Sequence, residues 1–336
     1  MLKRLLFVTG VLLAAATGCD REPCAACRED AFPHHVTLDL SGSALMTKAL
    51  DVPSLSESNV VRCILYIFSR TGALVDSHAS ADGRFDFYLT DEVYDFVAVA
   101  NKGDLPRTGI TKSDLFAVRT TLAENAVGNF VMTGSLDSHV IEADEKITVE
   151  VSRLVAKVTY SIRTAFSGPL AELPFVVEDI YLTNVAGAHD LALLDSVPEA
   201  DACWYNRMDL DDPPQEDSPV GLLSGHIGLR MAAADSLCSG HSFYPYPNAS
   251  PDSHDRERWG SRCTRFVVKA SLGGVTTWYP VTLEKVVRNR HYHVDLTISN
   301  YGVAHPEEDP SAAFSGMTAA VTVAPWSDGG TLLGLY

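Results

Sequence analysis

Few residues of this chain are spaced for catalysis or metal binding. His291 and His293 are two positions apart, so a strand would place both imidazoles on one face, but no third metal ligand follows at a useful spacing. Residues 209–212, with Glu216 and Asp217, form an acidic cluster that could bind Ca²⁺, although it lacks the alternation and the glycine of an EF-hand loop. No Gly-x-Ser-x-Gly nucleophile elbow occurs. We therefore expect no enzymatic activity and no cofactor or metal site.

Cys19 is the residue with the clearest chemical assignment. Lys3 and Arg4 give the chain a charged start, and residues 5–16 are an apolar run too short to span a bilayer but as long as a signal-peptide core. Small residues directly precede Cys19, and this arrangement resembles a bacterial lipobox. The resemblance implies that residues 1–18 are a signal peptide and that Cys19 is acylated and anchors the protein in the outer membrane. An ordinary signal peptide followed by a chance cysteine is the alternative.

The segment after the signal peptide has the composition of a tether, and we assign residues 19–34 to it. Its Cys24-Ala25-Ala26-Cys27 spacing is that of a thioredoxin-like motif, but that motif needs the start of a helix after a strand, and this polar segment predicts neither. An exported protein permits disulfides, and their connectivity stays open. The six cysteines beyond Cys19 are Cys24, Cys27, Cys63, Cys203, Cys238 and Cys263.

Length and composition limit the remaining function classes. The chain has 336 residues, 46% of them hydrophobic, which suffices for two domains that each have a core. Its formal net charge of −17 argues against binding to nucleic acid or to an anionic membrane face. No further run of about 18 apolar residues follows the signal segment. The lipid on Cys19 is therefore the one membrane contact that we expect.

Beyond residue 34 the sequence alternates between strand patterns and turns. Residues 60–68 are apolar on both faces, as in a central strand of a sandwich, and Thr71-Gly72 follows as a turn. Asp82-Gly83 is a turn dipeptide before residues 84–89, in which apolar and polar side chains alternate. Residues 111–126 have the best helical spacing of this half.

A long β segment covers residues 146–163, and its apolar phase slips at Ser152-Arg153, as at a bulge or a change of sheet. We place a domain boundary near its start, with an N-terminal domain at 35–146 and a C-terminal domain at 147–336. Residues 198–260 predict long loops. No helix strong enough for a βαβ crossover separates the strands. The predicted fold class is therefore all-β, with two antiparallel β-sandwich domains in tandem.

Six short segments, spread over most of the chain, together resemble the fimbrillin superfamily, the subunits of Bacteroidetes type V pili. The family fold is two transthyretin-like β-sandwiches, which agrees with the strand pattern above. The segments are residues 61–72 (VRCILYIFSRTG), 94–101 (YDFVAVAN), 151–158 (VSRLVAKV), 246–248 (YPN), 278–292 (WYPVTLEKVVRNRHY) and 321–326 (VTVAPW).

The resemblance implies a mechanical function. Members of the family are exported as lipoproteins, and in stalk subunits a protease cuts after a basic residue beyond the first strand. Loss of that strand opens an apolar groove, which a C-terminal strand of the next subunit fills by β-strand addition. The chain would then be a stalk, tip or anchor subunit of a surface fimbria. Its partners would be other pilus subunits and a receptor on a host or bacterial surface.

The family mechanism maps onto particular residues of this sequence. Residues 35–40 would be the removable strand, and Lys48-Ala49 would be the cut site in the loop after it. Residues 319–336 would be the donor strand. Its anchors would be Val321, Val323, Trp326, Leu332, Leu333 and Leu335.

The alternative is a monomeric glycan-binding lipoprotein of the cell surface. Such a protein would present a flat aromatic platform, for which the tryptophan-centred candidates are Trp204, Tyr205, Trp259 and Trp278. An independent binding module has no need of a detachable terminal strand, so the C-terminal strand separates the two hypotheses. A hydrolase with an unrecognised site is the third.

Overall fold

The computed structural model describes residues 34–41, 57–125, 127–192, 195–199, 203–206, 224–238, 241–251, 260–308 and 316–326. These residues form twenty strands, one α-helix, α1 (Lys112–Phe116), and two 3₁₀ helices, Leu122–Glu124 and Gly168–Glu172. The strands are β1 (His34–Ser41), β2 (Cys63–Ser69), β3 (Leu74–Ser80), β4 (Arg84–Leu89), β5 (Val93–Ala100), β6 (Arg119–Thr121), β7 (Met132–Val140), β8 (Glu145–Glu150), β9 (Ser152–Arg153), β10 (Lys157–Thr164), β11 (Phe175–Thr183), β12 (Val185–Ala186), β13 (Ala188–Asp190), β14 (Trp204–Tyr205), β15 (Ser224–Met231), β16 (Ser236–Cys238), β17 (Thr264–Leu272), β18 (Val275–Leu283), β19 (Arg290–Ile298) and β20 (Met317–Pro325).

The first sandwich combines a five-stranded sheet, in the order β3-β2-β5-β7-β9, with a three-stranded sheet, β4-β1-β8. Strand β2 is buried on both faces because its residues Cys63 to Phe68 are all apolar. In β4, Phe85, Phe87 and Leu89 face the core and alternate with exposed residues. Phe87 lies 6.1 Å from Phe96 of β5 between ring centroids, so the two sheets meet through aromatic side chains.

The second sandwich combines two four-stranded sheets, β16-β10-β19-β20 and β15-β11-β17-β18. They meet through rings such as Tyr160 of β10 and Phe266 of β17, whose centroids lie 5.2 Å apart. Gly273 and Gly274 form the turn between β17 and β18 with φ angles of 61° and 85°, which glycine adopts without strain. The predicted all-β fold with two β-sandwiches in tandem is confirmed.

Two of the pairings in these sheets are parallel. β1 runs parallel to β8, and β10 runs parallel to β19, whereas the other pairings between the sandwich strands are antiparallel. A parallel pairing needs a long connection, so each joins strands that lie far apart in the sequence. Alternation of side chains predicts the two faces of a strand but not its partner.

Strand pairing moves the boundary between the sandwiches away from residue 146, where the sequence analysis placed it. β8 pairs with β1 and β9 pairs with β7, so both strands belong to the first sandwich. β10 pairs with β19 and belongs to the second. The change of sandwich therefore follows Arg153, the point at which the apolar phase slips.

The helix predicted over residues 111–126 is much shorter in the structure. α1 ends at Phe116, and Arg119–Thr121 forms β6, which pairs with β13 of the second half of the chain. This pairing across the sandwiches overrides the local helical spacing. None of the described helices is long and apolar enough to cross a membrane.

Candidate functional site: strand-addition elements

β1 lies in the middle of its sheet and connects the two strands beside it. Its core-facing side chains are Val36, Leu38 and Leu40, of which the first two are fully buried. Val36 and Leu38 lie opposite Phe87 and Phe85 of the antiparallel strand β4. The strand predicted to be removable is thus a central strand with an apolar inner face.

Removal of β1 would leave an open slot in the first sandwich. Within the described residues, β4 and β8 have no other sheet partner. Their N–H and C=O groups would then face each other across the gap, above the core side chains that Val36 and Leu38 now cover. A buried polar group that loses its partner costs about 1–3 kcal/mol. Such a slot therefore favours entry of another extended strand.

β20 is the outer strand of its sheet. It spans nine residues, Met317–Pro325, and pairs antiparallel with β19 on one side. Val321 and Val323 lie opposite the core residues Val294 and Tyr292, yet their exposed fractions are 36% and 52%. The outer edge of β20 is therefore uncovered by the part of the chain that the structure describes.

Trp326 directly follows β20, and its side chain is buried between the two sandwiches, with an exposed fraction of 2%. We call this contact region around Trp326 the joint. The guanidinium of Arg153 lies over its ring, 4.2 Å from the centroid. The rings of Tyr244 and Phe130 lie 5.8 Å and 5.6 Å away between centroids, the first stacked and the second edge-on. Phe130 and Arg153 belong to the first sandwich and Tyr244 belongs to the second, so the indole of Trp326 contacts both sandwiches.

Glu57 is the charged centre of the same joint. Its carboxylate accepts hydrogen bonds from Lys157 at 2.7 and 2.9 Å, from the Tyr244 hydroxyl at 2.6 Å and from the Trp326 indole N–H at 3.0 Å. Burial alone would raise the pKa of Glu57, but these donors outweigh it and hold the pKa below its ordinary value. These hydrogen bonds thus connect Glu57 to Trp326, the residue that follows β20.

Arg288 fastens the loop before β19 to the first sandwich. Its guanidinium donates to the carbonyls of Ser152 at 2.6 Å and Arg153 at 3.2 Å, and to the hydroxyl of Thr133 at 3.0 Å. Burial lowers the pKa of Arg288 to about 10, so the group stays charged at neutral pH. These contacts and the Trp326 joint fix the orientation of the two sandwiches.

Solved structures share the overall fold of this chain. The chain is similar to the fimbrilin FimA of Porphyromonas gingivalis W83, with 16% identity and a TM-score of 0.61, over 88% of this chain and 98% of that chain. A Bacteroides eggerthii protein provisionally assigned to cell adhesion gives 16% identity and a TM-score of 0.59, over 87% and 96%. The tip fimbrial protein Mfa3 of P. gingivalis, truncated at its C-terminus, gives 14% identity and 0.51, over 87% and 99%. The chain has a fimbrilin-like fold. Neither a protein-family model nor a curated protein matches the sequence.

The fimbrilin-like fold brings together polar residues from three of the six resembling segments. Arg153 and Lys157, from residues 151–158, meet Asn289 and Trp326 at the joint, where Arg153 donates to the Asn289 side-chain oxygen at 3.1 Å. In the sequence, Arg153, Lys157 and Asn289 stand out only as parts of these segments, and Trp326 also as an implied donor anchor. Glu57 carries no sequence signal, because an isolated glutamate after an irregular stretch belongs to no periodic pattern.

The site residues predicted from the sequence divide into three groups. Val321 and Val323 are exposed on the edge strand of the fimbrilin-like fold, and Trp326 is buried in the joint. A donor role for Trp326 would require that joint to open. The remaining predicted residues lie outside the described part of the chain: Cys19, Lys48, Ala49, Leu332, Leu333 and Leu335.

His291 and His293 do lie on one face of β19, as predicted. Both rings contact the Thr159 hydroxyl, at 2.7 Å and 2.8 Å. Burial, with the nearby Lys157 charge, lowers the pKa of His291. Among the described residues no group of three histidine, cysteine or acidic side chains is suited to a metal ion. The acidic cluster at residues 209–217 lies outside the described part.

The aromatic residues proposed for a glycan platform are not presented together. Trp204 is buried and donates its indole N–H to the Glu199 carbonyl at 2.9 Å. Trp278 is half-buried on β18, and its ring lies 6.4 Å from that of His305. Trp259 lies outside the described residues. The described tryptophans therefore offer no flat exposed surface.

The cysteines of the described residues form no disulfide with one another. Cys63 is buried in β2, and its thiol lies 3.2 Å from the Ser80 carbonyl. Burial raises the pKa of Cys63 to about 11. Cys203 and Cys238 are exposed.

Proposed function

We propose that this chain is a structural or adhesive subunit of a surface fimbria, joined to its neighbours by β-strand addition. The observation that carries the proposal is the place of β1 in the fimbrilin-like fold. β1 is the one described strand that connects β4 to β8. A subunit that exchanges this strand for one from a neighbour keeps its fold and gains a partner. The function needs neither a catalytic centre nor a cofactor.

Processing at Lys48-Ala49 is compatible with the contacts on either side of it. β1 ends at Ser41, and Glu57 is held by Lys157 and Tyr244 in the joint. A cut between these two points would separate β1 from the rest of the chain and leave the joint intact. In this proposal the uncut form keeps its lipid on Cys19 and remains in the outer membrane.

The slot also sets requirements for a donor strand. The incoming segment must place apolar side chains at alternate positions, as Val36, Leu38 and Leu40 do in β1. Leu333 and Leu335 have this spacing near the C-terminus. A neighbouring copy could supply them without giving up its own β20.

The proposal is tested with a chain that carries a specific protease site in place of residues 46–49. After cleavage, a labelled peptide of residues 319–336 should bind the cut protein and displace the fragment that contains β1, while the uncut protein should not bind it. The matched control peptide carries Leu333→Asp and Leu335→Asp. Equal binding of both peptides, or equal binding to cut and uncut protein, would contradict strand addition at this slot.

A further inference from the structure

The two ends of the slot that β1 occupies differ in charge, and the end at which β1 begins is acidic. Asp91, which follows β4, pairs with the His34 imidazole. Asp86 of β4 lies 3.6 Å from the His35 imidazole nitrogen, and Asp144 accepts a hydrogen bond from the His35 backbone N–H at 2.8 Å. Three carboxylates from the neighbouring chain segments therefore meet the first two residues of β1.

The other end of the slot, around Asp39 of β1, carries charges of both signs. The Asp39 carboxylate lies 2.6 Å from the Lys146 ammonium nitrogen of β8 and 3.9 Å from a guanidinium nitrogen of Arg84 in β4. Glu150 of β8 and Asp82, which accepts from the Arg84 backbone N–H at 3.2 Å, lie at the same end. These four charges balance once Asp39 leaves with β1, whereas the three carboxylates at the start of the slot do not.

We propose that the slot selects an incoming strand that runs in the direction of β1 and begins with two basic residues, followed by alternating apolar residues. The inference rests on the proposed function, strand addition at this slot. Lysine or arginine would meet the three carboxylates with a permanent charge, whereas histidine is charged only when it is protonated. A strand that begins with acidic residues would bring like charges together, which lowers its affinity and excludes it as a partner.

The apolar face and the charges contribute different parts of this recognition. Any strand with apolar side chains in the positions of Val36, Leu38 and Leu40 fills the core side of the slot. The charges discriminate among such strands. The side chains of Asp86 and Asp91 are 67% and 71% exposed, so each ion pair contributes modestly and depends on the salt concentration. Selection therefore comes from several ion pairs that form together, and it affects the rate of association as well as the affinity.

Two peptide copies of residues 34–41 test the selection on the chain that carries the specific protease site. The first peptide has His34→Lys and His35→Lys, and the second has Asp39→Lys. Two lysines with one aspartate in the first, and one lysine in the second, give both peptides the same formal net charge and the same apolar face. Their affinities are measured by displacement of the labelled β1 fragment from the cut protein. The first peptide should bind at least about tenfold more tightly, as a few exposed ion pairs allow.

A protein variant and a change of salt show whether the three carboxylates cause the difference. Asp86→Asn, Asp91→Asn and Asp144→Asn together should abolish it while both peptides still bind. About 1 M NaCl should also reduce it, because the Debye length is then about 3 Å.

The outcomes separate this inference from the proposed function. Equal affinities of the two peptides for the cut protein would overturn the charge selection and leave strand addition standing. A difference that persists in the triple asparagine variant would also overturn it, because the carboxylates would not be its cause. Displacement of the β1 fragment by neither peptide would overturn the charge selection and strand addition at this slot together.

Discussion

Replacing Trp326 with alanine should destabilise both sandwiches, because the ring is buried where they meet. The exposed fraction of Trp326 is 2%, and its ring contacts Arg153 at 4.2 Å and donates to Glu57 at 3.0 Å. Loss of a buried tryptophan side chain costs about 3–5 kcal/mol, and we expect about 4 kcal/mol here. Trp326→Phe keeps most of the packing but leaves Glu57 without one donor, so it should cost about 2 kcal/mol.

Urea unfolding followed by circular dichroism measures this loss. With a slope of about 3 kcal/mol per molar urea, 4 kcal/mol lowers the midpoint by about 1.3 M. Val323→Ala is the matched control, since it shortens a residue of the neighbouring strand that is 52% exposed and should change the free energy of unfolding by less than about 0.5 kcal/mol. A midpoint shift for Trp326→Ala no larger than that for Val323→Ala would show that the Trp326 ring does not stabilise the contact between the sandwiches.

Three further predictions concern other parts of the structure. The pKa of Glu57 is lowered in the folded state, so its contribution to stability is complete above the ordinary glutamate pKa of about 4.3 and is lost as the pH falls below it. Glu57→Gln should therefore cost about 1–3 kcal/mol at neutral pH and flatten the acid limb of a urea-midpoint titration; an unchanged acid limb would contradict this. Leu38→Ala in β1 should cost about 2–5 kcal/mol because Leu38 is fully buried, whereas Thr37→Ala on the outer face should be nearly neutral in the same assay, and equal effects would reject the assigned faces. The pKa of Cys63 is about 11, so iodoacetamide near pH 8 should alkylate Cys203 ~100-fold faster than Cys63 by mass spectrometry, and comparable rates would show that Cys63 is not buried.

Sequence patterns predicted strands well where the two faces differ in polarity or where both are apolar. Residues 84–89 alternate in the sequence and form β4 with the same alternation of burial. Residues 60–68 were predicted as a doubly buried strand, and β2 occupies Cys63–Ser69. Burial of apolar area determines these strands locally, so the pattern alone carries the information.

Those patterns do not predict which strands pair when the partners lie far apart in the sequence. The sequence pattern places residues 147–150 in the C-terminal domain, because they belong to the long β segment that begins near residue 146, but the parallel pairing of β8 with β1 places them in the first sandwich. Residues 119–121 have helical spacing yet pair with β13. In both cases a partner far away in the sequence decides the outcome.

The contacts of single residues at the joint between the sandwiches are likewise not predictable from sequence patterns. The family resemblance implies Trp326 as a donor anchor and gives no sign of its contacts within the chain, where its ring packs against Arg153 and Tyr244. Glu57 had no pattern to mark it. Its importance comes from three donors that only the fold brings together.

The central claim is that this chain assembles into a fimbria by strand addition, and one measurement tests it most directly. The protein is recovered from cells and from sheared surface fibres, and its intact mass and N-terminal sequence are determined. We expect to recover the protein in the fibres, either as a chain that begins at Ala49 without lipid in a stalk or tip, or as a chain that begins at acylated Cys19 in an anchor. A chain that begins at acylated Cys19 and is absent from every fibre fraction would contradict it.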